Sequence, residues 1–466
     1  MKRCFYLSLL LISLAACQGD LLQAPQTEKS VDNFFSTEVE IESAIDGVYA
    51  TLQFTGLYNL YLPAIGEIPS DNTFDEVPAN DGGRYGQLDE FSTIPSNDII
   101  TTIWKDAYVG IQAANLLLNR IRAVPFAVPA LREARLGELY FIRALLYFNL
   151  VRIYGAVPLV LRETTDPTEY FGQPRTSVAE VYAQILQDLQ TAIELLPQGP
   201  DQPGRVIQTA AHALLGKVYL TLQRFSQAEL HLQAVVEAGG HALQPHPAQV
   251  FALDQELNPE ILFAVQFASG VNGNAEGSDA FVQFSPSGTI NGAKGHNLPN
   301  RDLVALYTEG DLRRTAYVGQ TSSGVPFCKK YQRPTTVPED GESDWVVLRY
   351  AEVLLMLAEA KNELGKAEEA AFYLNQVRLR AGLKEIYPPT YAARDEAIEL
   401  ERRLELIGEG HRWFYLLRTG KAIATMNAWF QQNTRLGISI DENDLLMPIP
   451  QSQINTDPAL EQNPGY

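Results

Sequence analysis

The chain is poor in cysteine, with three in 466 residues. Cys4 and Cys17 lie close to the N-terminus and Cys328 stands alone, which excludes a disulfide framework and any zinc site built from cysteines of one chain. Cations are also scarce: 36 Lys and Arg face 56 Asp and Glu, a formal charge of −20. Such a surface repels nucleic-acid phosphates and anionic lipid, so neither is expected as a partner. No HExxH, GxSxG, Walker loop or dinucleotide glycine fingerprint occurs. The six histidines are scattered; His241 and His246 flank a Pro-rich turn of surface character, and Asp441 to Asp444 lack the EF-hand spacing. Glu67, Asp71, Asp75 and Glu76 could in principle hold a glycosidase pair, but carboxylates this dense in a loop are expected to be solvated. No catalytic residue, metal or cofactor is therefore expected.

The N-terminus carries a signal of another kind. Lys2 and Arg3 precede an apolar run from Phe5 to Ala16, too short to span a membrane and suited to secretion. The run ends Leu14-Ala15-Ala16-Cys17, small residues directly before a Cys, which resembles the bacterial lipobox. Residues 1–16 are thus expected to be a lipoprotein signal, Cys17 the acylated first residue, and 17–30 a polar tether to a lipid anchor.

From residue 31 onward the pattern is mainly helical. In the stretch from Leu348 to Leu383, Val353, Leu354, Leu357, Ala358 and Leu364 line one helix face, Gly365 interrupts, and Ala367, Ala370, Ala371, Leu374 and Val377 line a second. Small facing residues let such a pair approach closely, and a pair this short must stack on others. Leu215, Gly216, Tyr219, Ala228, Leu232 and Val235 repeat the spacing of a tetratricopeptide unit of about thirty-four residues. A looser copy joins Leu136 to Tyr154 with Val178 to Leu196, which closes on Pro197. Helical runs from Thr101 to Arg122 and from Ala392 to Gly408 supply further partners, and Thr37 opens another. The expected scaffold is an interrupted helical-repeat array, with few short strands and long irregular insertions.

Those insertions fall at about 66–100, 269–300 and 319–345. The first two are rich in Asp, Asn, Gly and Pro, so their backbone is irregular. Long loops in a compact domain are functional or disordered, and the interspersed aromatics favour function. The second loop follows EILFAVQFA, a candidate buried strand.

Seven motifs in order give the chain its resemblance to the SusD/RagB family of outer-membrane lipoproteins. They are the lipobox; Trp104, Tyr108, Ile111 and Asn115; Arg143, Ala144, Tyr147, Phe148, Tyr154, Gly155 and Pro158; Asp311 with Arg313; RYAEVLLMLAEAKNELG; Glu401, Arg402, Glu409, Gly410 and Arg412; and the closing LMPIPQSQINTDPALEQNPGY. The resemblance implies one helical domain over 31–466 with four tetratricopeptide-like pairs. It also implies loops that present a glycan or other nutrient, a face that caps a SusC-like TonB-dependent transporter, and lid motion about the tether. The chain is shorter than many members, and no Trp stands in the first or second loop, where the starch-binding member presents an aromatic arc.

A glycan site needs flat aromatic faces together with amides, carboxylates and Arg for hydroxyls. The candidates are Asp71, Asn72, Phe74, Arg84 and Tyr85 in the first loop and Phe281, Phe284 and Asn297 in the second. Each aromatic could equally plug into the domain and pin its loop. Trp104, Arg143, Glu401 and Arg402 are assigned to structure, and the PIP and NPGY segments to a rigid strap over the helices. The function expected is non-catalytic binding of an oligosaccharide for delivery to the transporter. A peptide-binding member of the family and a protein-binding repeat scaffold are the alternatives.

Overall fold

The computed structural model describes residues 35–166, 168–271, 273, 276–331, 337–433, 435 and 437–466. The expected signal, the tether and Cys17 lie outside them.

Helix boundaries follow local chemistry. α1 (Glu38–Thr51) opens with a capping box between Thr37 and Glu40, and the side chain of Asn97 caps α2 (Asp98–Arg120). α3 (Pro129–Tyr154) starts on a proline and stops at Gly155, whose φ of +72° favours glycine. Ser177 and Glu180 form a second capping box for α4 (Val178–Leu195). α5 (Gln208–Thr221) and α6 (Phe225–Ala238) follow, then α7 (Tyr350–Glu363), α8 (Ala367–Arg380), α9 (Tyr391–Glu405), α10 (Arg412–Arg418) and α11 (Ala422–Gln432). Helices pack as α1–α2, α3–α4, α5–α6 and α7–α8, and the pairs are joined through α2–α3, α4–α5 and α6–α7. This is the expected tetratricopeptide-like array. Gly216 shows why small residues matter in it: a Cβ there would stand 2.5 Å from Leu232 Cγ on α6.

The strands are short and paired in twos, all antiparallel. β1 (Thr73–Phe74) meets β3 (Leu298–Pro299), β2 (Ile261–Val265) meets β6 (Trp345–Arg349), and β4 (Val318–Gln320) meets β5 (Pro326–Cys328). The expected buried strand is β2. The first helix of the Leu348 to Leu383 stretch begins at Tyr350, because Leu348 and Arg349 finish β6 opposite Phe263 and Ile261. The loops are also less irregular than their composition implies. Short helices Tyr61–Glu67 and Arg84–Asp89 fall within or at the border of the first, Ala280–Gln283 lies in the second, and the β4–β5 hairpin occupies part of the third.

One continuous apolar core runs through the array, and a smaller one gathers Trp413, Trp429 and Phe430 near α10 and α11. Trp104 packs on Tyr108 and Tyr154, and Arg143 grips Asp188 with two hydrogen bonds. The C-terminal segment straps these helices: Met447 N donates to Ile153 O, and Asn463 Nδ2 donates to Tyr154 O and Met447 O.

Between β6, α8 and the end of α9 lies a buried ionic cluster. Arg349 donates to Glu260, Glu405 and Glu409, Arg380 to Glu260 and Glu405, and Arg313 to Asp311, Glu401 and Glu405. Burial opposes ionisation of Glu405, but the guanidiniums of Arg380, Arg349 and Arg313 hold its carboxyl far below the ordinary range. Removing one partner of such a set strands the others. Glu405→Gln is expected to cost about 3–5 kcal/mol in urea unfolding; a loss under about 1 kcal/mol would show that the cluster does not hold the fold.

Candidate functional site

The first loop is anchored before it reaches any surface. Glu67, the last residue of its helix, accepts backbone hydrogen bonds from Gly408, Gly410 and His411 and a side-chain bond from Asn72. Gly66 packs so close to Gly410 that a Cβ would fall 2.1 Å from its carbonyl oxygen. Asp71 takes two bonds from Arg412 (2.7 and 3.0 Å) and pairs with Arg403 at 2.8 Å. Its burial favours the neutral form, yet Arg412 and Arg403 hold the carboxyl below its usual range. Asn72 accepts from Arg403 Nε. The carboxylates Glu67, Asp71 and Asp75 are buried, so the expectation that they are solvated is corrected. Their partners come from the 403–412 segment and from His296.

The loops are then stitched to each other. β1 pairs with β3, and His296 stands between two carboxylates, with Nδ1 2.8 Å from Asp75 and Nε2 2.9 Å from Asp81. Its ring stacks on Tyr85 at 3.7 Å. Glu76 accepts from Ser287 N, and Ser278 bridges Gly341 of the third stretch. All three insertions thus converge on one face. Several buried polar atoms at this junction lack a partner: Thr73 Oγ1, Asp75 Oδ2, Arg84 Nε, Tyr85 OH, Gln283 Oε1 and Asn297 Oδ1. Asn297 also holds a left-handed backbone, φ +54°.

Most residues expected to touch a ligand are inside this junction. Tyr85 is fully buried and offers no face to a sugar; Phe281, Phe284 and Asn297 are buried as well, as are Asp71 and Asn72. In this conformation they fasten the loops, the role weighed for the aromatics from the outset. Phe74 and Arg84 are half-buried.

Beside Arg84 stand residues that loop composition did not single out, the buried Tyr61 and the exposed Asp98. Tyr61 OH lies 3.5 Å from Asp98 Oδ2, and Arg84 reaches the same carboxylate at 3.8 Å. The Arg84 guanidinium lies 6.0 Å from the Tyr61 ring centre and 5.7 Å from that of Tyr85. Asn59 Oδ1 accepts from Asp279 N at 2.7 Å. The Asp279 carboxylate has no donor among the described residues, and burial with the charge of Glu339 raises its pKa to about 7. Asn59, Tyr61 and Asp98 belong to helix ends and a π turn; only the tertiary fold brings them beside Arg84. Among the described residues no group of three His, Cys, Asp or Glu could hold a metal ion.

With this geometry, comparison with known proteins is informative. The SusD family model matches residues 315–466, and a second model, described as starch-binding associating with outer membrane, matches 27–220. The chain belongs to the SusD/RagB family. SusD-like protein P2 of Formosa agariphila is 26% identical over 506 residues, covering 98% of each chain. Among solved structures, a laminarin binding SusD-like protein shares 28% identity at a TM-score of 0.81, covering 92% of this chain and 100% of that one. Surface glycan-binding protein A from Bacteroides fluxus, 23% identical, shares the fold at a TM-score of 0.81 over 92% of this chain and 100% of its own.

Two outcomes follow from this SusD-like loop face. His296→Ala should speed amide hydrogen exchange in 73–85 and 294–299 at least about tenfold while α7 and α8 keep their protection; unchanged exchange would mean that the clasp does not hold the loops. Asp279 has a folded pKa of about 7 against an ordinary 3.8. The native state therefore binds more protons than the unfolded chain, and the stability contribution present at low pH is lost as pH rises from about 4 to 7. Asp279→Asn should gain stability relative to the parent across that window and reach a plateau above it, read from melting temperatures; a constant difference would contradict the raised carboxyl.

Proposed function

We propose that this SusD-like chain is a cell-surface lipoprotein, tethered through Cys17, that binds an oligosaccharide at the loop face. It hands the sugar to a TonB-dependent outer-membrane transporter without altering it. The observation that carries the reading is Asp279: a half-buried carboxylate without a donor among the described residues, on a face that also offers the half-buried Arg84 and Asn59, with Tyr61 itself buried. Vicinal sugar hydroxyls supply the missing donors, and an arginine and an amide beside them suit the other polar groups of a pyranose. The laminarin binding neighbour, similar over nearly the whole chain, supports a glycan as the ligand class.

A raised carboxyl also suits a general acid. Glycosidases, however, hold a second carboxylate across the scissile bond, and the charge that Asp279 feels belongs to Glu339, exposed in a loop. Binding without hydrolysis is the simpler use of the group. A peptide ligand has one observation in its favour. β2 pairs only with β6 among the described residues, and its Phe263 and Ala264 line two depressions of about 450 and 600 Å³, where an added strand could lie.

Titration calorimetry of the chain lacking residues 1–17, against neutral and acidic oligosaccharides and a peptide digest, separates these readings. Saturable binding to a glycan is expected, weakened at least about tenfold in both Arg84→Ala and Asp279→Ala. Proton release near pH 7 should accompany it, as hydroxyl donors stabilise the Asp279 carboxylate. Binding to peptides alone, glycan binding indifferent to both substitutions, or release of shorter sugars would each overturn the proposal.

A further inference from the structure

Most buried arginines here are matched by carboxylates: Arg135 by Glu42 and Glu138, Arg143 by Asp188, Arg412 by Asp71, Arg418 by Glu359. Arg152 on α3 is different. Its Nε donates to Phe148 O at 3.0 Å and its Nη2 to Asn149 Oδ1 at 2.6 Å, and no carboxylate pairs with it among the described residues. The guanidinium lies 4.0 Å from the ring centres of both Phe148 and Phe414. The side chain is half-buried, and those π faces compensate only part of the hydration it gives up.

Arg152 borders a partly open cavity of about 40 Å³ whose other polar walls are Tyr58, Asn149, Lys217, Glu409 and His411. That is room for roughly three waters or one small ion. Lys217 bonds Glu352 at 2.8 Å, but Glu352 is shared with Arg402, whose Nη1 is buried without a partner. Both oxygens of Glu409 are occupied by Arg349, and one of them also by Lys330. Lys217 can only donate, so His411 Nδ1 accepts from it at 3.3 Å and Nε2 carries the proton. Burial keeps that imidazole neutral, with a pKa drawn down to about 3. Of the two cations on the cavity wall, Lys217 pairs with Glu352, which Arg402 also uses, and Arg152 has no carboxylate partner among the described residues. Burial lowers Lys217 to about 8 and Arg152 to about 10, the direction expected where negative charge is short.

We propose that this cavity binds a small inorganic anion, chloride by its size, between the guanidinium of Arg152 and the ammonium of Lys217. The anion supplies the charge that the protein leaves out, and it ties α3 and α5 to β6 and the 409–411 segment. The site is separate from the loop face and stands whether or not a glycan binds there.

The test is thermal unfolding in sodium chloride against sodium gluconate at constant ionic strength, which removes general screening. A ligand that binds only the native state raises the melting temperature with concentration. The parent is expected to melt several degrees higher in chloride, saturably, and Arg152→Met to melt equally in both salts. Arg122→Met, at an exposed position, should keep the difference. If Arg152→Met does not fold, Lys217→Met serves, and bromide-soaked crystals of the parent should show anomalous density in the cavity. Equal melting of the parent in the two salts, or a cavity holding only water after the soak, would overturn the proposal.

Discussion

Everything in this molecule hangs from Arg349. It ends β6, opens α7, and donates to Glu260 before β2, to Glu405 at the end of α9 and to Glu409 beyond it. A charge so deeply buried is tolerable only when all its donors are filled with good geometry. The requirement therefore fixes where the sheet, the last repeat and the 405–412 segment meet. Loose packing of apolar helices would allow small slides; a guanidinium with three carboxylates does not. From that segment the constraint passes outward, because Gly408, Gly410 and His411 donate to Glu67 and Arg412 clamps Asp71. The position of the first loop is set by the ionic core rather than by the loop itself.

This explains why a loop so rich in Asp and Asn is buried. Long insertions cost little in closure entropy, but an ordered surface must be held by something, and these loops have few aliphatic residues to bury. Their fasteners are polar: Asp71 with arginines, His296 with Asp75 and Asp81, and short β pairing at Thr73 and Leu298. Such bonds are directional, so they specify one arrangement where apolar packing would permit several. The atoms left unsatisfied at the junction are the counterpart, since a network built of directional groups seldom closes completely.

The sequence made the scaffold legible because helix pairs rest on local rules. Period 3.6, the break at Gly365 and the helix entry at Thr37 each act within a few residues, and the structure follows them. That Leu348 and Arg349, at the head of the same stretch, belong to β6 is not local information, because they are as compatible with a strand as with a helix until β2 is beside them. The surroundings of the loop residues were not legible. Polar character says nothing of whether a partner waits elsewhere. Asp71 is buried by Arg412, 341 residues away, and no local pattern carries that. Tyr85 is buried for the same reason, its partner His296 lying in another insertion. Asn59, Tyr61, Asp98 and Asp279 escaped notice because they stand at helix ends, where capping and packing supply an adequate reason for each type.

The charge balance, read through the structure, narrows the ligand further than the total of −20 does. Arg135, Arg143, Arg313, Arg349, Arg380 and Arg412, with Lys330, are drawn inside, each bound to carboxylates that are mostly buried too. These pairs are nearly neutral as groups, so they remove cations from the exterior without removing the acidic excess. The solvent-facing surface is correspondingly acidic, and the loop face follows it: Arg84 stands among Asp98, Asp279 and Asp81. A sulfated or uronic polysaccharide would meet that field with repulsion at every repeat, and the half-exposed Arg84 and Lys294, already near Asp98 and Asp81, would not offset it. A neutral glycan meets no such barrier, and its hydroxyls are the donors that Asp279 lacks. The same field weighs little on a small anion bound for the Arg152 cavity. Screening over about 8 Å at physiological ionic strength leaves a monovalent ion free to approach, and the affinity is decided inside, where Arg152 has no carboxylate partner among the described residues.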